Sequence, residues 1–181
     1  MLYSRLAFGA LLALGTCASA QELRYGVQAH LSLPSGDLKE AVDNKAGLGL
    51  GAHLTLDFGQ GHLLRPRFDY TAYPDATVFD GISNKMDVLS LGVDYLYQLE
   101  GSTGFYVTGG LAANRWKSEV EISGLGTFSS NTTKLGYAAG VGYAFNAQVS
   151  AEARLTSTKF TTRTVSDENA NAFQLAALYR F

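Results

Sequence analysis

From Leu135 to Phe145 the chain alternates without interruption. Leu135, Tyr137, Ala139, Val141, Tyr143 and Phe145 share one parity, and Gly136, Ala138, Gly140, Gly142 and Ala144 share the other. A period of two belongs to a β-strand, whose successive side chains point to opposite faces. What the two faces carry constrains the fold further. Glycine and alanine cannot fill a soluble core, and that arrangement would leave the large residues in water. Turned over, the large residues meet lipid and the small ones line the interior of a closed transmembrane barrel.

The same pattern recurs along the chain. Eight strand-like runs are read at roughly 22–33, 47–58, 63–73, 86–99, 104–116, 134–145, 148–159 and 171–181. Most are near the ~9–11 residues that a tilted strand needs to cross a bilayer. The connections alternate. Segments 34–46, 74–85, 117–133 and 160–170 are long and polar, whereas "GQGH", "EGST" and the connection around "NA" are tight. An up-and-down outer-membrane barrel has this alternation, with short periplasmic turns and longer outside loops. The predicted fold is therefore all-β: an eight-stranded antiparallel up-and-down transmembrane barrel. A soluble eight-stranded barrel has the same count, so the composition of the faces, not the number of strands, separates the two.

The second run, "GLGLGAHLTLDFGQGH", raises a phosphate-binding alternative. A dinucleotide fingerprint needs a third glycine three residues after Gly51 and a helix beyond it, but Leu54 and a period of two follow instead. Those glycines belong to a strand face. The first twenty residues read as a cleaved export leader: Arg5, the apolar run "LAFGALLALG", and "ASA" ending at Ala20. That leaves residues 21–181 as a single barrel domain. Thr16 before Cys17 is a poor fit to a lipoprotein signal, and cleavage removes the only cysteine, so disulfides and thiolate metal sites drop out. A formal net charge of −2 gives no basic patch for nucleic acid.

Charged residues at inward parity are the candidate site. Arg24, Arg65, Arg67, Asp69, Asp94, Glu152, Arg154 and Arg180 carry both signs and come from several strands. Eight strands enclose a space that side chains can fill. Isolated charges there are costly and hydrogen-bonded pairs are tolerated. Arg67, Arg154 and Arg180 are each expected to lie within ion-pair distance of Asp69, Asp94 or Glu152, with Gly49, Gly51, Gly140 and Gly142 making room. The set reads as a structural plug. His30 and His53, which could face one another beside Asp57, read as lumen hydrogen-bonding groups, and no metal or cofactor is expected.

Aromatic residues bunch at the ends of the runs. Tyr25, Phe58, Tyr95, Tyr97, Phe105, Tyr143, Phe145, Tyr179 and Phe181 fall at the short-turn end. Tyr70, Tyr73, Trp116 and Phe160 form a sparser second belt. Two such girdles mark membrane interfaces.

The leader, the eight alternating runs and the terminal "ALYRF" resemble small outer-membrane β-barrel proteins of the adhesion/invasion and opacity type. The resemblance implies residence in the outer membrane of a Gram-negative-type bacterium, among outer-membrane lipid and lipopolysaccharide. It also implies that Phe181, with Tyr179 two before it, is the assembly signal read by the insertion machinery. Lipid A deacylases of this architecture use a serine and a histidine late in the chain. Here the histidines are His30, His53 and His62, so Ser150, Ser157 and Ser166 lack that partner and no catalytic residue is expected. The expected molecule is a monomer with a structural or surface-interaction role carried by its outside loops, toward a ligand the sequence does not name. The alternative is a narrow conduit for small hydrophobic molecules.

Overall fold

The computed structural model describes residues 23–79, 82–99, 104–122, 126–161 and 167–181. The leader at 1–20 lies outside them. The strands are β1 (Leu23–Ser35), β2 (Gly47–Asp57), β3 (His62–Phe79), β4 (Ile82–Gln98), β5 (Phe105–Ile122), β6 (Gly126–Ala144), β7 (Val149–Thr161) and β8 (Asp167–Arg180). Each pairs antiparallel with its neighbour in sequence, and β1 closes the ring on β8 with Val27 opposite Tyr179 and Leu31 opposite Leu175. Closure leaves no lipid-exposed sheet edge, which a membrane interior requires.

The alternation sets the faces. On β4, Leu89, Leu91, Val93 and Tyr95 are exposed to the surroundings, while Ser90, Gly92, Asp94 and Leu96 are buried inside. On β8, Phe173, Leu175 and Tyr179 face out, as does Phe181 just beyond it, and Ala172, Ala176 and Leu178 face in. Short turns are held locally. At Gly59–Gln60–Gly61 three successive residues take φ of 81°, 55° and 80°, and Asp57 Oδ1 accepts from Gly59 N at 2.8 Å. Between β6 and β7, Asn146 Oδ1 accepts from the amides of Gln148 and Val149 at 2.9 and 2.7 Å.

The opposite end departs from expectation in three ways. Segments 74–85 and 117–133, expected as long loops, are largely strand: β3–β4 and β5–β6 continue as paired ladders nearly to their tips. Their polarity reflects two wet faces beyond the membrane, not loss of the strand. Segment 34–46 holds a short helix, α1 (Asp37–Ala41). It lies in the barrel mouth with Leu38 and Val42 both 1% exposed against Tyr73, Met86, Val88 and Trp116. Asn169 N donates to Asp37 Oδ2 at 3.0 Å and Asn84 Nδ2 to the Ala41 carbonyl at 3.1 Å, fastening the cap to β8 and β4.

The third departure corrects the outer aromatic belt. Tyr73 and Trp116 point into the barrel and are buried, with the Tyr73 hydroxyl 2.9 Å from Ser32 Oγ. The reason is parity: Tyr73 shares its face with Arg65, Arg67 and Asp69, and Trp116 shares its face with buried Ala112. Tyr70 does face outward, and the Phe160 side chain lies outside the described set.

Candidate functional site

Three arginines and three carboxylates meet in the middle of the lumen. Arg65 and Arg67 stand two apart on β3, so both point inward, and register places Asp94 of β4 opposite Arg65. Arg65 grips Glu152 of β7 across the barrel with two hydrogen bonds, Nη1 to Oε2 at 2.8 Å and Nη2 to Oε1 at 3.0 Å. Its Nη2 also donates to Asp94 Oδ2 at 2.9 Å. Arg67 donates from Nε to the same Asp94 oxygen at 3.0 Å and from Nη1 to Asp69. Arg154 lies farther out, 3.6 Å from Asp94 Oδ2 and 3.4 Å from Glu152 Oε1. Tyr106 donates to Glu152 Oε2 at 3.1 Å, and Gln28 donates to Asp69.

All six charged residues are at most 7% exposed. The planar guanidinium fork of Arg65 matches a carboxylate edge, the geometry in which a buried ion pair offsets its desolvation best. Glycines on facing strands admit these bulky groups. A Cβ on Gly51 would overlap the Asp69 carboxylate, one on Gly110 the Asp94 carboxylate, and one on Gly142 the Tyr106 ring.

Arg180 does not join them. No carboxylate among the described residues reaches it, and its Nε is buried without a hydrogen-bond partner. Parity turns it inward as expected, but register sets it opposite Gly26 at the short-turn end, below the level of Asp94 and Glu152. Arg24 is also half-buried there.

The two lumen histidines do not face one another. His30 lies opposite Gly49 and shares a 2.8 Å hydrogen bond between Nε2 and Thr71 Oγ1, whereas His53 lies opposite Gly26, four residues along the ladder. Among the described residues no group of three or more metal-ligating side chains comes together. Gln28, Tyr106, Ser32 and Tyr73 are lumen members that the charge-based reading missed, although inward parity marked each of them.

Tyr179 and Phe181 face outward at the short-turn end with ring centroids 5.1 Å apart. Phe105, Tyr143 and Phe145 continue the girdle at 4.8 and 5.1 Å, and His62 joins it with Nδ1 2.5 Å from the Tyr95 hydroxyl. At the far end, Lys117 Nζ lies 2.5 Å from Glu119 Oε1. That hydrogen bond and the accompanying attraction hold the exposed Glu119 carboxyl below its usual range and Lys117 above its own.

Residues 6–181 match the model of the outer membrane protein beta-barrel domain. Among solved structures, Ail of Yersinia pestis is 17% identical with a TM-score of 0.64, the match covering 90% of this chain and 100% of Ail. Neisserial surface protein A is 14% identical with a TM-score of 0.60, over 90% of this chain and 100% of its own. The N-terminal barrel domain of Pseudomonas aeruginosa OprF is 15% identical with a TM-score of 0.53, also over 90% and 100%. At such identities the likeness is one of fold. No curated protein matches the sequence. Lipid-facing strands, a closed ring and a family match over nearly the whole length converge: the chain belongs to the outer membrane protein β-barrel domain family and resides in the outer membrane of a Gram-negative-type bacterium.

Proposed function

We propose that the protein is a non-catalytic surface-interaction barrel whose binding element is the sheet that β3, β4, β5 and β6 raise beyond the membrane. One observation carries this reading: the upper part of β6 has no partner strand on its β7 side among the described residues. Pairing of β6 with β7 begins at Gly136 opposite Thr158, while β6 pairs with β5 from Gly126 onward. β5 and β6 have 18 and 19 residues. A bilayer needs about 9–11, so roughly eight residues, or about 25 Å of strand, project beyond it.

Parity identifies the unpaired groups. Ala144 N donates to Gly104 O, so even-numbered residues of β6 exchange hydrogen bonds with β5. The amides and carbonyls of Ser129, Asn131 and Thr133 therefore point to the open side. An open sheet edge of this kind binds an extended polypeptide by adding it as a further strand. The opposite edge, on β3 beyond Ala72, is blunted by Pro74, by a register shift between Tyr73 and Ala76, and by Lys45 donating to the Asp75 carbonyl at 2.5 Å. The β6 ladder has neither a proline nor a shift.

Ail was solved with the heparin analogue sucrose octasulfate. Here Lys117 and Glu119, both on β5 beside that edge, are paired with each other, which favours an uncharged peptide over a polysulfate. The mouth cap and the central ion pairs argue against a hydrophobic conduit. The test is adhesion of cells displaying the protein to a panel of extracellular-matrix and serum proteins. Asn131→Pro, which removes one edge amide, is expected to abolish a binding partner found with the wild type while the barrel keeps its heat-modifiable gel mobility. Retained binding by that variant would overturn the edge as the site.

A further inference from the structure

Beneath the central ion pairs the lumen keeps a small chamber. His53 on β2 and Arg180 on β8 flank Gly26 of β1 from either side, and Arg65 reaches in from β3. Gly26 admits the histidine, since a Cβ there would overlap the His53 ring. The open volume is about 20 Å³, room for roughly one water-sized guest. The chamber has a way in: Thr55, Gln98 and Arg180 of its wall also line a wider vestibule of about 270 Å³ at the short-turn mouth.

Three nitrogens of this wall are buried with no hydrogen-bond partner among the described residues: Arg65 Nε, Arg180 Nε and His53 Nδ1. The two guanidinium nitrogens can only donate, and His53 donates as well when its ring proton is on Nδ1. A buried donor left unmet is costly. Arg65 already commits both Nη groups to Glu152 and Asp94, so its Nε is held facing the chamber. No aspartate or glutamate is among the described residues that line it. A single water accepts from two donors and must then find acceptors for its own hydrogens, whereas a spherical anion accepts from all three.

We propose that this chamber is a binding site for one halide-sized monovalent anion, chloride, held by the Nε–H groups of Arg65 and Arg180 and by His53 Nδ1–H. Charge-assisted donors give the strong hydrogen bonds such an ion needs. Leu63, Leu96 and Leu178 supply apolar wall that a weakly hydrated halide tolerates, and the volume excludes phosphate and larger anions. The site rests on the unmet donors of these three residues and not on the charge of any other group at the mouth. Because its holders stand on β8, β2 and β3, a bound anion spans the closing β1–β8 ladder from within and braces it. By the rule that short turns face the periplasm, the ion enters from that side. The site is independent of the β6 edge at the opposite end of the barrel.

The experiment uses the full mature chain refolded in a maltoside detergent free of halide, with sodium gluconate supplying the ionic strength. Sodium chloride replaces gluconate stepwise while arginine Nε–Hε resonances are followed by NMR. The Arg65 and Arg180 resonances are expected to shift together and saturably, and bromide to give the same pattern, whereas sulfate leaves Arg65 in place. Crystals soaked in bromide should show one anomalous peak in the chamber. Arg180→Gln should weaken chloride binding roughly tenfold or more, as loss of a charge-assisted contact implies. His53→Phe, which keeps a ring and removes the donor, should weaken it as well. Heat-modifiable gel mobility checks that each variant is a closed barrel. Unfolding in urea should slow as chloride replaces gluconate for the wild type and not for Arg180→Gln. Linear shifts of equal size with every salt, or chloride binding unchanged in Arg180→Gln, would overturn the site. So would bromide-soaked crystals that hold an ordered water in the chamber and no bromide.

Discussion

At the scale of single residues, the lumen works by compensation. Glu152 accepts two hydrogen bonds from Arg65 and one from Tyr106, and lies 3.4 Å from Arg154. Glu152→Gln keeps the shape and removes the charge, leaving three buried guanidiniums, those of Arg65, Arg67 and Arg154, to share Asp94 and Asp69. Breaking a buried pair from one side costs about 3–5 kcal/mol, and urea unfolding of the variant in lipid vesicles should show a loss of that order. Much of this centre could be read from the chain, because inward parity and the mixture of signs pointed to the same residues. The glycine placements were legible too: Gly51 and Gly142 stand where a larger residue would strike Asp69 or Tyr106. Height along the barrel was not. Parity tells inside from outside, whereas the level of a side chain depends on register, and register is what separates Arg180 from the carboxylates expected to hold it.

At the scale of elements, the cap α1 is the feature that sequence reasoning passed over. Leu38 and Val42 are four apart, the spacing of one helix face, but a five-residue helix inside a polar loop gives too short a period to read. Only the mouth makes it stable, since isolated helices of this length do not persist in water. Trp116, the single tryptophan of the chain, lies in the same apolar cluster as Leu38 and Val42. Its fluorescence therefore reports the cap directly. Leu38→Asp should move Trp116 emission to the red and raise its quenching by acrylamide, with the barrel's circular dichroism unchanged. Emission like that of the wild type would mean that the cap does not seal the mouth. The extended hairpins were hidden for a related reason. Strand assignment relied on one apolar face, and "KSEV" and "FSSNTTK" carry polar residues at both parities.

At the scale of the whole molecule, the barrel is a membrane cylinder with unequal walls, high along β3–β6 and lower elsewhere. The fold class, the eight strands and the tight connections after β2 and β6 were legible in the sequence, because alternation against lipid must be nearly unbroken, while "EGST" lies outside the described residues. The outward pair Tyr179 and Phe181 belongs to this scale, since its proposed role is in assembly. Deleting Phe181 removes one exposed interfacial ring, a loss of at most about 1.5–3 kcal/mol even for a fully buried side chain, and refolding in detergent should survive it. The amount reaching the outer membrane of cells should fall much further, as fractionation and immunoblotting would show. Equal effects in the two assays would reduce Phe181 to ordinary packing.

The seam between β1 and β8, where Phe181 N donates to the Tyr25 carbonyl at 2.9 Å, has a consequence in time. Every other ladder joins strands that are consecutive in the chain, so each forms as a local hairpin with little loop to close. The seam joins opposite ends of the chain and bears nearly the whole entropic cost of making a ring. It is therefore the last ladder to form and the first to part, and the rate at which the barrel closes is set at that single line of hydrogen bonds.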